Sequence, residues 1–96
     1  MPKEPRLSHQ TLRVLRLLLG KPRESVAGSD VTKATGIASG TVYPLLARLE
    51  RVKWIESEWE DIDPTEAGRP RKRLYKLTAI GNRKTNIALA ELDIHQ

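Results

Sequence analysis

The hydrophobic period of this chain changes abruptly in its middle. Val42, Leu45, Leu46, Leu49 and Val52 recur at helical spacing, then Trp54-Ile55-Glu56-Ser57-Glu58-Trp59-Glu60 alternates with period two. Only Lys53 separates the two patterns, so a helix over about 39–52 must run almost directly into a strand. Lys72-Arg73-Leu74-Tyr75-Lys76-Leu77 is a second strand with Tyr75 and Leu77 inward, and Asp63-Pro64-Thr65-Glu66-Ala67-Gly68 is loop chemistry between them. The expectation is a long hairpin with its tip near 61–70, Ile55 and Trp59 on its inner face and Glu56, Glu58 and Glu60 on its outer face.

Upstream, Leu12, Leu15, Leu18 and Leu19 form one face of a helix from about Ser8 to Leu19, with Ser8 as N-cap, Arg13 and Arg16 opposite, and Gly20 and Pro22 as the stop. A short helix follows, capped by Ser29 or Asp30, with Val31 and Ala34 inward and Gly36 at its end. Ser25-Val26-Ala27 before it suits a minor extended segment. Ser39 is the natural cap of the third helix, and Pro44 predicts a loosened or kinked first turn there. Thr78 can cap a last helix of about 79–94, where Ile80, Ile87 and Ile94 lie at heptad spacing beside Ala88, Leu89 and Leu92.

Two helices joined by Gly36-Ile37-Ala38 and followed at once by a hairpin read as a winged helix-turn-helix. The fold class is α+β, mostly α: three helices, a β-hairpin wing and a C-terminal helix. Ninety-six residues fit a single domain, 1–96. The core must be aliphatic, because the only aromatic residues are Tyr43, Trp54, Trp59 and Tyr75. Both Trp residues are expected in it.

Charge narrows the function. The net charge is +5, and it is blocked. Residues 54–68 hold Glu56, Glu58, Glu60, Asp61, Asp63 and Glu66 with no cation. Residues 69–84 hold Arg69, Arg71, Lys72, Arg73, Lys76, Arg83 and Lys84 with no acid. The outward face of the third helix carries no acid from 39 to 49. Ser39, Gly40, Thr41, Tyr43, Pro44 and Arg48 cluster toward its start, the part that a helix-turn-helix presents to base edges. Small residues allow close approach, Thr41 offers a hydroxyl and a methyl, and Arg48 reaches phosphate or guanine. Arg69, Pro70, Arg71, Lys72 and Arg73 at the hairpin tip suit a narrow minor groove. Lys76, with Lys72, is expected to pair with the acidic strand; Arg69 and Arg71 lie past it. Double-stranded DNA is therefore the expected partner.

Enzyme chemistry is not expected. There is no Cys, and His9 and His95 stand apart as surface residues. The three alternating Glu have no second ligand type, so neither a metal nor a cofactor is expected, and no catalytic residue emerges. The longest bulky apolar run, Leu17-Leu18-Leu19, is too short for a membrane span, which leaves a cytoplasmic protein as the expectation.

Gly40-Thr41-Val42-Tyr43-Pro44-Leu45-Leu46-Ala47-Arg48-Leu49-Glu50 resembles the PadR family of bacterial transcriptional repressors. Trp54-Ile55-Glu56-Ser57-Glu58-Trp59, Gly68-Arg69-Pro70-Arg71-Lys72 and Leu77-Thr78-Ala79-Ile80-Gly81 continue the likeness over about 40–81. The resemblance implies a winged-helix homodimer, nucleoid-associated, repressing at a palindromic operator. It gives Thr41, Tyr43, Pro44 and Arg48 to the recognition helix, and Arg69 with Arg71 to the wing. The family usually has Gly after the recognition helix, where this chain has Val52-Lys53-Trp54. A small-molecule effector, associated with the dimer region in several members, is not indicated by these residues. A dimer would use Leu12, Leu15, Leu19, Ile80, Ile87, Leu89 and Ile94. The same fold also admits a protein-interaction module that binds a basic partner through its acidic wing, and an architectural DNA-bending factor without a regulatory role.

Overall fold

Three amphipathic helices close over a small antiparallel sheet, and a fourth long helix lies against the first. The computed structural model describes residues 7–94. The element order is α1 (His9–Leu19), β1 (Val26–Ala27), α2 (Gly28–Thr35), α3 (Ser39–Arg51), β2 (Ile55–Trp59), α4 (Pro64–Ala67), β3 (Arg73–Leu77) and α5 (Ala79–Ile94). The minor extended segment is β1; it pairs with β3, and the strand order is β1-β3-β2.

The core is aliphatic, as the composition demands. Val14, Leu15 and Leu18 of α1 meet Val31 of α2 and the α3 stripe of Val42, Leu45, Leu46 and Leu49, over Val26, Ile55, Tyr75 and Leu77 of the sheet. Trp54 joins them and is buried. Each fully buried Leu contributes about 1.5–3 kcal/mol by leaving water, so this one cluster dominates the stability. The α1 face includes Val14, which the leucine spacing passed over, while Leu12 and Leu19 are only half-buried. In α2 the inward position is Thr35, not Ala34, which is exposed. The Thr35 hydroxyl donates to the Val31 carbonyl (2.7 Å) and accepts from the Ile37 amide (3.2 Å), so a polar side chain sits in the core satisfied.

Local signals set the helix ends. Ser8 caps α1 by accepting from the Thr11 amide, and α2 stops at left-handed Gly36. The Thr78 hydroxyl accepts from the Gly81 amide (3.0 Å) and starts α5. Gly81 lies so close to the Trp54 carbonyl that any Cβ there would overlap it, which seats α5 on the start of the wing. Two cap expectations fail. The residue before α2 is Ala27 and the one before α3 is Ala38, and neither helix start has a side-chain cap. Ser29, Asp30 and Ser39 all lie inside the helices. Pro44 also lies inside α3, which runs unbroken from Ser39 to Arg51. The helical bond that Pro44 cannot make is the one to the Gly40 carbonyl, on the exposed side.

The missing glycine after α3 has a visible consequence. The Trp54 amide donates to the Leu49 carbonyl and the Lys53 amide to the Glu50 carbonyl, both at 3.0 Å. This is the Schellman pattern, whose left-handed residue is usually Gly; here it is Lys53, at φ +68°. A side chain in that region costs about 1–2 kcal/mol. The arrangement persists because Trp54 and Leu49 bury together on either side of it.

Candidate nucleic-acid interface

Burial of the α3 stripe fixes which residues face out. Ser39, Gly40, Thr41, Tyr43, Pro44, Ala47, Arg48 and Arg51 are exposed, while Val42, Leu45, Leu46 and Leu49 are not. The structure therefore brings all six sequence-identified residues of this helix onto one surface. Ala38 offers no side-chain acceptor, so the α3 amides ahead of Thr41, which itself donates to the Ala38 carbonyl (2.9 Å), meet no side-chain cap and face an incoming anion with the helix dipole behind them.

Tyr43 is less free than its place on that face suggests. A Cβ built on Gly28 would lie 2.5 Å from Tyr43 Cε1 and 2.9 Å from its hydroxyl oxygen. The ring thus lies across the first residue of α2, half exposed, and its hydroxyl stands beside a second uncapped helix start. Gly28 is the residue that makes room for it. The signal was present in the sequence only as a glycine at a helix start, with nothing to link it to Tyr43. Arg48 borders a hollow with Leu7, Ser8 and Thr11, at the start of α1. Arg13 donates to the Thr35 carbonyl and so ties α1 to the helix-turn-helix corner.

The wing is built differently. The register pairs Ile55 with Leu77, Glu56 with Lys76, Ser57 with Tyr75, Glu58 with Leu74 and Trp59 with Arg73. The expected Lys76 pairing is present, with Nζ 3.8 Å from Glu56 Oε1. Trp59, expected inward, is 62% exposed. The strand extends beyond the core after Ile55, and the Arg73 guanidinium stacks over the Trp59 ring, 4.8 Å from its centre. Arg73 Nε also donates to Ser57 Oγ (3.0 Å), and Ser57 donates to Glu50 Oε2 (2.7 Å).

The tip folds back on itself. Asp63 caps the single turn α4 through the Thr65 amide, where only loop was expected. That turn returns Arg69 to the end of β2, where its two terminal nitrogens donate to Glu60 Oε1 (2.7 Å) and Oε2 (3.0 Å). Arg69 was expected to lie beyond the acidic strand's reach, and the correction comes from α4, which shortens the path back. Glu60 also accepts from the Lys72 amide (3.3 Å), and its own amide donates to the Lys72 carbonyl (2.9 Å). The Arg69 hydrogen bond pulls the Glu60 carboxyl down to about 2, against the opposing effect of burial and with help from the Lys72 amide, and the same bond raises the Arg69 guanidinium. Arg71 Nε donates to the Ile62 carbonyl (3.0 Å), a neutral partner.

The residues assigned to a dimer surface divide. Leu15 has no exposed surface and belongs to the core of its own protomer, so it cannot meet a second copy. Ile80 and Ile87 are half-exposed on α5; Leu12, Leu19 and Leu89 are partly buried. The Ile94 side chain lies outside the described residues. Leu7, Leu12, Ala88, Glu91 and Leu92 line a groove between α1 and α5. Among the described residues no cluster of His, Cys, Asp and Glu could hold a metal ion, and no helix is long and apolar enough to cross a membrane.

Comparison with known proteins agrees with this architecture. Residues 28–87 match the model of the Transcriptional regulator PadR-like family. No curated protein matches in sequence. MepR, a transcription regulator of the Staphylococcus aureus multidrug efflux pump MepA, superposes with a TM-score of 0.73 at 23% identity, over 92% of this chain and 59% of MepR. The S. aureus MepR–DNA complex gives a TM-score of 0.74 at 22% identity, over 92% of this chain and 66% of that one. A transcriptional regulator homologue from Pyrococcus horikoshii OT3 gives 0.72 at 19% identity, over 92% and 85%. The chain spans less than two thirds of MepR, and at these identities the likeness is one of fold.

Proposed function

The chain belongs to the transcriptional regulator PadR-like family, and from that premise we propose that it represses transcription by holding a palindromic operator as a homodimer. The observation that carries the reading is the exposed, acid-free and uncapped start of α3. Thr41, Tyr43, Pro44 and Arg48, with Ser39 and Gly40, enter the major groove. The wing residues Arg69, Pro70, Arg71, Lys72 and Arg73 lie along the adjacent backbone and minor groove. Exposed Ile80 and Ile87, with the groove lined by Leu7, Leu12 and Leu92, supply the second subunit's contact. The two recognition helices then read half-sites about 34–36 Å apart, one turn of DNA. That a MepR–DNA complex exists on this fold supports the same docking.

The acidic wing gives less support to a protein-interaction module. Glu60 is taken by Arg69, Glu56 lies beside Lys76 and Asp63 caps α4, so half of the acidic block serves the hairpin itself. Binding to random duplex DNA across a salt series, with solution mass measured in parallel, tests the proposal. With about four phosphate contacts per subunit, log K falls against log salt with a slope near −7. A flat salt response, or a monomer at micromolar concentration, contradicts it.

A further inference from the structure

The sequence places five cations on the wing at Arg69, Arg71, Lys72, Arg73 and Lys76, and the structure does not leave them equivalent. Arg69 is held by both oxygens of Glu60. Arg73 is stacked on Trp59 and bonded to Ser57, and Lys76 stands beside Glu56. Lys72 is half-buried, forms no close ion pair among the described residues, and its charge acts on the Glu60 carboxylate. Arg71 is exposed and bonds only a carbonyl, so its charge meets no carboxylate among the described residues and its two terminal nitrogens stay available. Glu60, at one end of the tip, meanwhile holds the returning end twice, by the Arg69 side chain and by the Lys72 main chain.

The geometry points to a division of labour in the wing: Glu60 and Arg69 are positioning residues that fix the tip, and Arg71 is the cation that neutralises DNA phosphate there. This rests on the DNA-binding reading above. A bidentate guanidinium–carboxylate pair is directional, so it sets the shape of the tip as well as its charge. The tip between Glu60 and Lys72 otherwise contains only one short helical turn, α4. Holding it closed keeps the Arg71 side chain, anchored through Nε on Ile62, at one place on the wing. Without the clamp the tip samples many shapes, and Arg71 must be ordered at the moment of binding.

Salt dependence separates a contact from a support, because only a lost phosphate contact lowers the slope, by about 0.9 per subunit. The test uses the full chain and a fluorescently labelled random-sequence duplex, with melting curves to confirm that each variant is folded. Glu60→Gln and Arg69→Ala are each expected to weaken binding about 5-fold with the slope unchanged, because ordering the loosened tip falls on the binding step. Their double variant is no weaker than either alone. Arg71→Ala weakens binding and lowers the slope. Exchanging the pair, Glu60→Arg with Arg69→Glu, restores affinity. Glu58→Gln, on β2 just before Glu60 and with no ion pair among the described residues, reports the plain effect of removing one negative charge.

The inference is overturned if Glu60→Gln tightens binding more than Glu58→Gln does, since Glu60 then merely competes with phosphate for Arg69. It is equally overturned if Arg69→Ala lowers the slope while Arg71→Ala leaves it alone. Wild-type protein that fails to bind duplex DNA at low salt overturns the DNA reading itself, a result distinct from either.

Discussion

The exposed face of α3 and the wing both present cations to solvent, but they are held in place by different forces. Behind α3 stand Val42, Leu45, Leu46 and Leu49, each almost wholly buried, so the orientation of Thr41, Tyr43 and Arg48 follows from the core. The wing leaves the core after Ile55. Beyond it, Trp59, Arg73, Glu60 and Arg69 hold one another by stacking and ion pairing at the surface. The helix is thus a rigid surface with open amides, and the wing a surface whose charges are mostly engaged with each other. Removing apolar volume should therefore damage the first, and changing charge should alter the second.

The largest effect should come from Leu46→Ala. Emptying this fully buried site costs about 2–5 kcal/mol, seen as a lowered melting temperature. A loss below about 1 kcal/mol would mean that α3 is not pinned by its stripe. Next is the joint between the two regions. Lys53→Gly relieves the left-handed strain and should stabilise the protein by about 0.5–1 kcal/mol in chemical denaturation, because glycine's greater unfolded freedom offsets part of the gain. A destabilisation would show that the Lys53 side chain is needed for something besides the turn.

The smallest effect is confined to the wing and appears only in acid. The Glu60 carboxyl titrates near 2 rather than at its ordinary 4.5 because Arg69 donates to its charged form. A depressed carboxylate stabilises above its unfolded pKa, so the contribution is complete above about 4.5 and is lost as pH falls toward 2. Carbon-detected NMR titration should place Glu60 near 2 in the wild type and back toward 4.5 in Arg69→Ala. An ordinary value in both would remove the clamp from the account.

The same contrast explains what could be read from the sequence. The α3 face was legible because a buried stripe at fixed spacing determines the opposite side whatever the rest of the chain does. The turn after α3 was legible only as an absent glycine: the family resemblance put Gly where Val52-Lys53-Trp54 stands, and which of the three takes the positive φ, Lys53, came from the structure. Trp59 was not, because alternation assumes that the strand stays against the core, and β2 runs past the core after Ile55. Arg69 was not, because its distance from Glu60 along the chain concealed the turn α4 that brings them together. Leu15 misled as an interface residue because a leucine on a helix face does not say which neighbour it meets. Ser39 misled as a cap, since the extended residue before the helix is Ala38 and Ser39 is already in its first turn.

The central claim is that α3 reads sequence, and base preference tests it most directly. Duplexes selected from a random pool by the wild-type protein should bind Thr41→Ala with about 10-fold lower affinity, while binding to unselected DNA changes little. The ratio of selected to unselected affinity therefore falls. If Thr41→Ala leaves that ratio unchanged, or if no sequence is enriched from the pool, α3 is not the reading element.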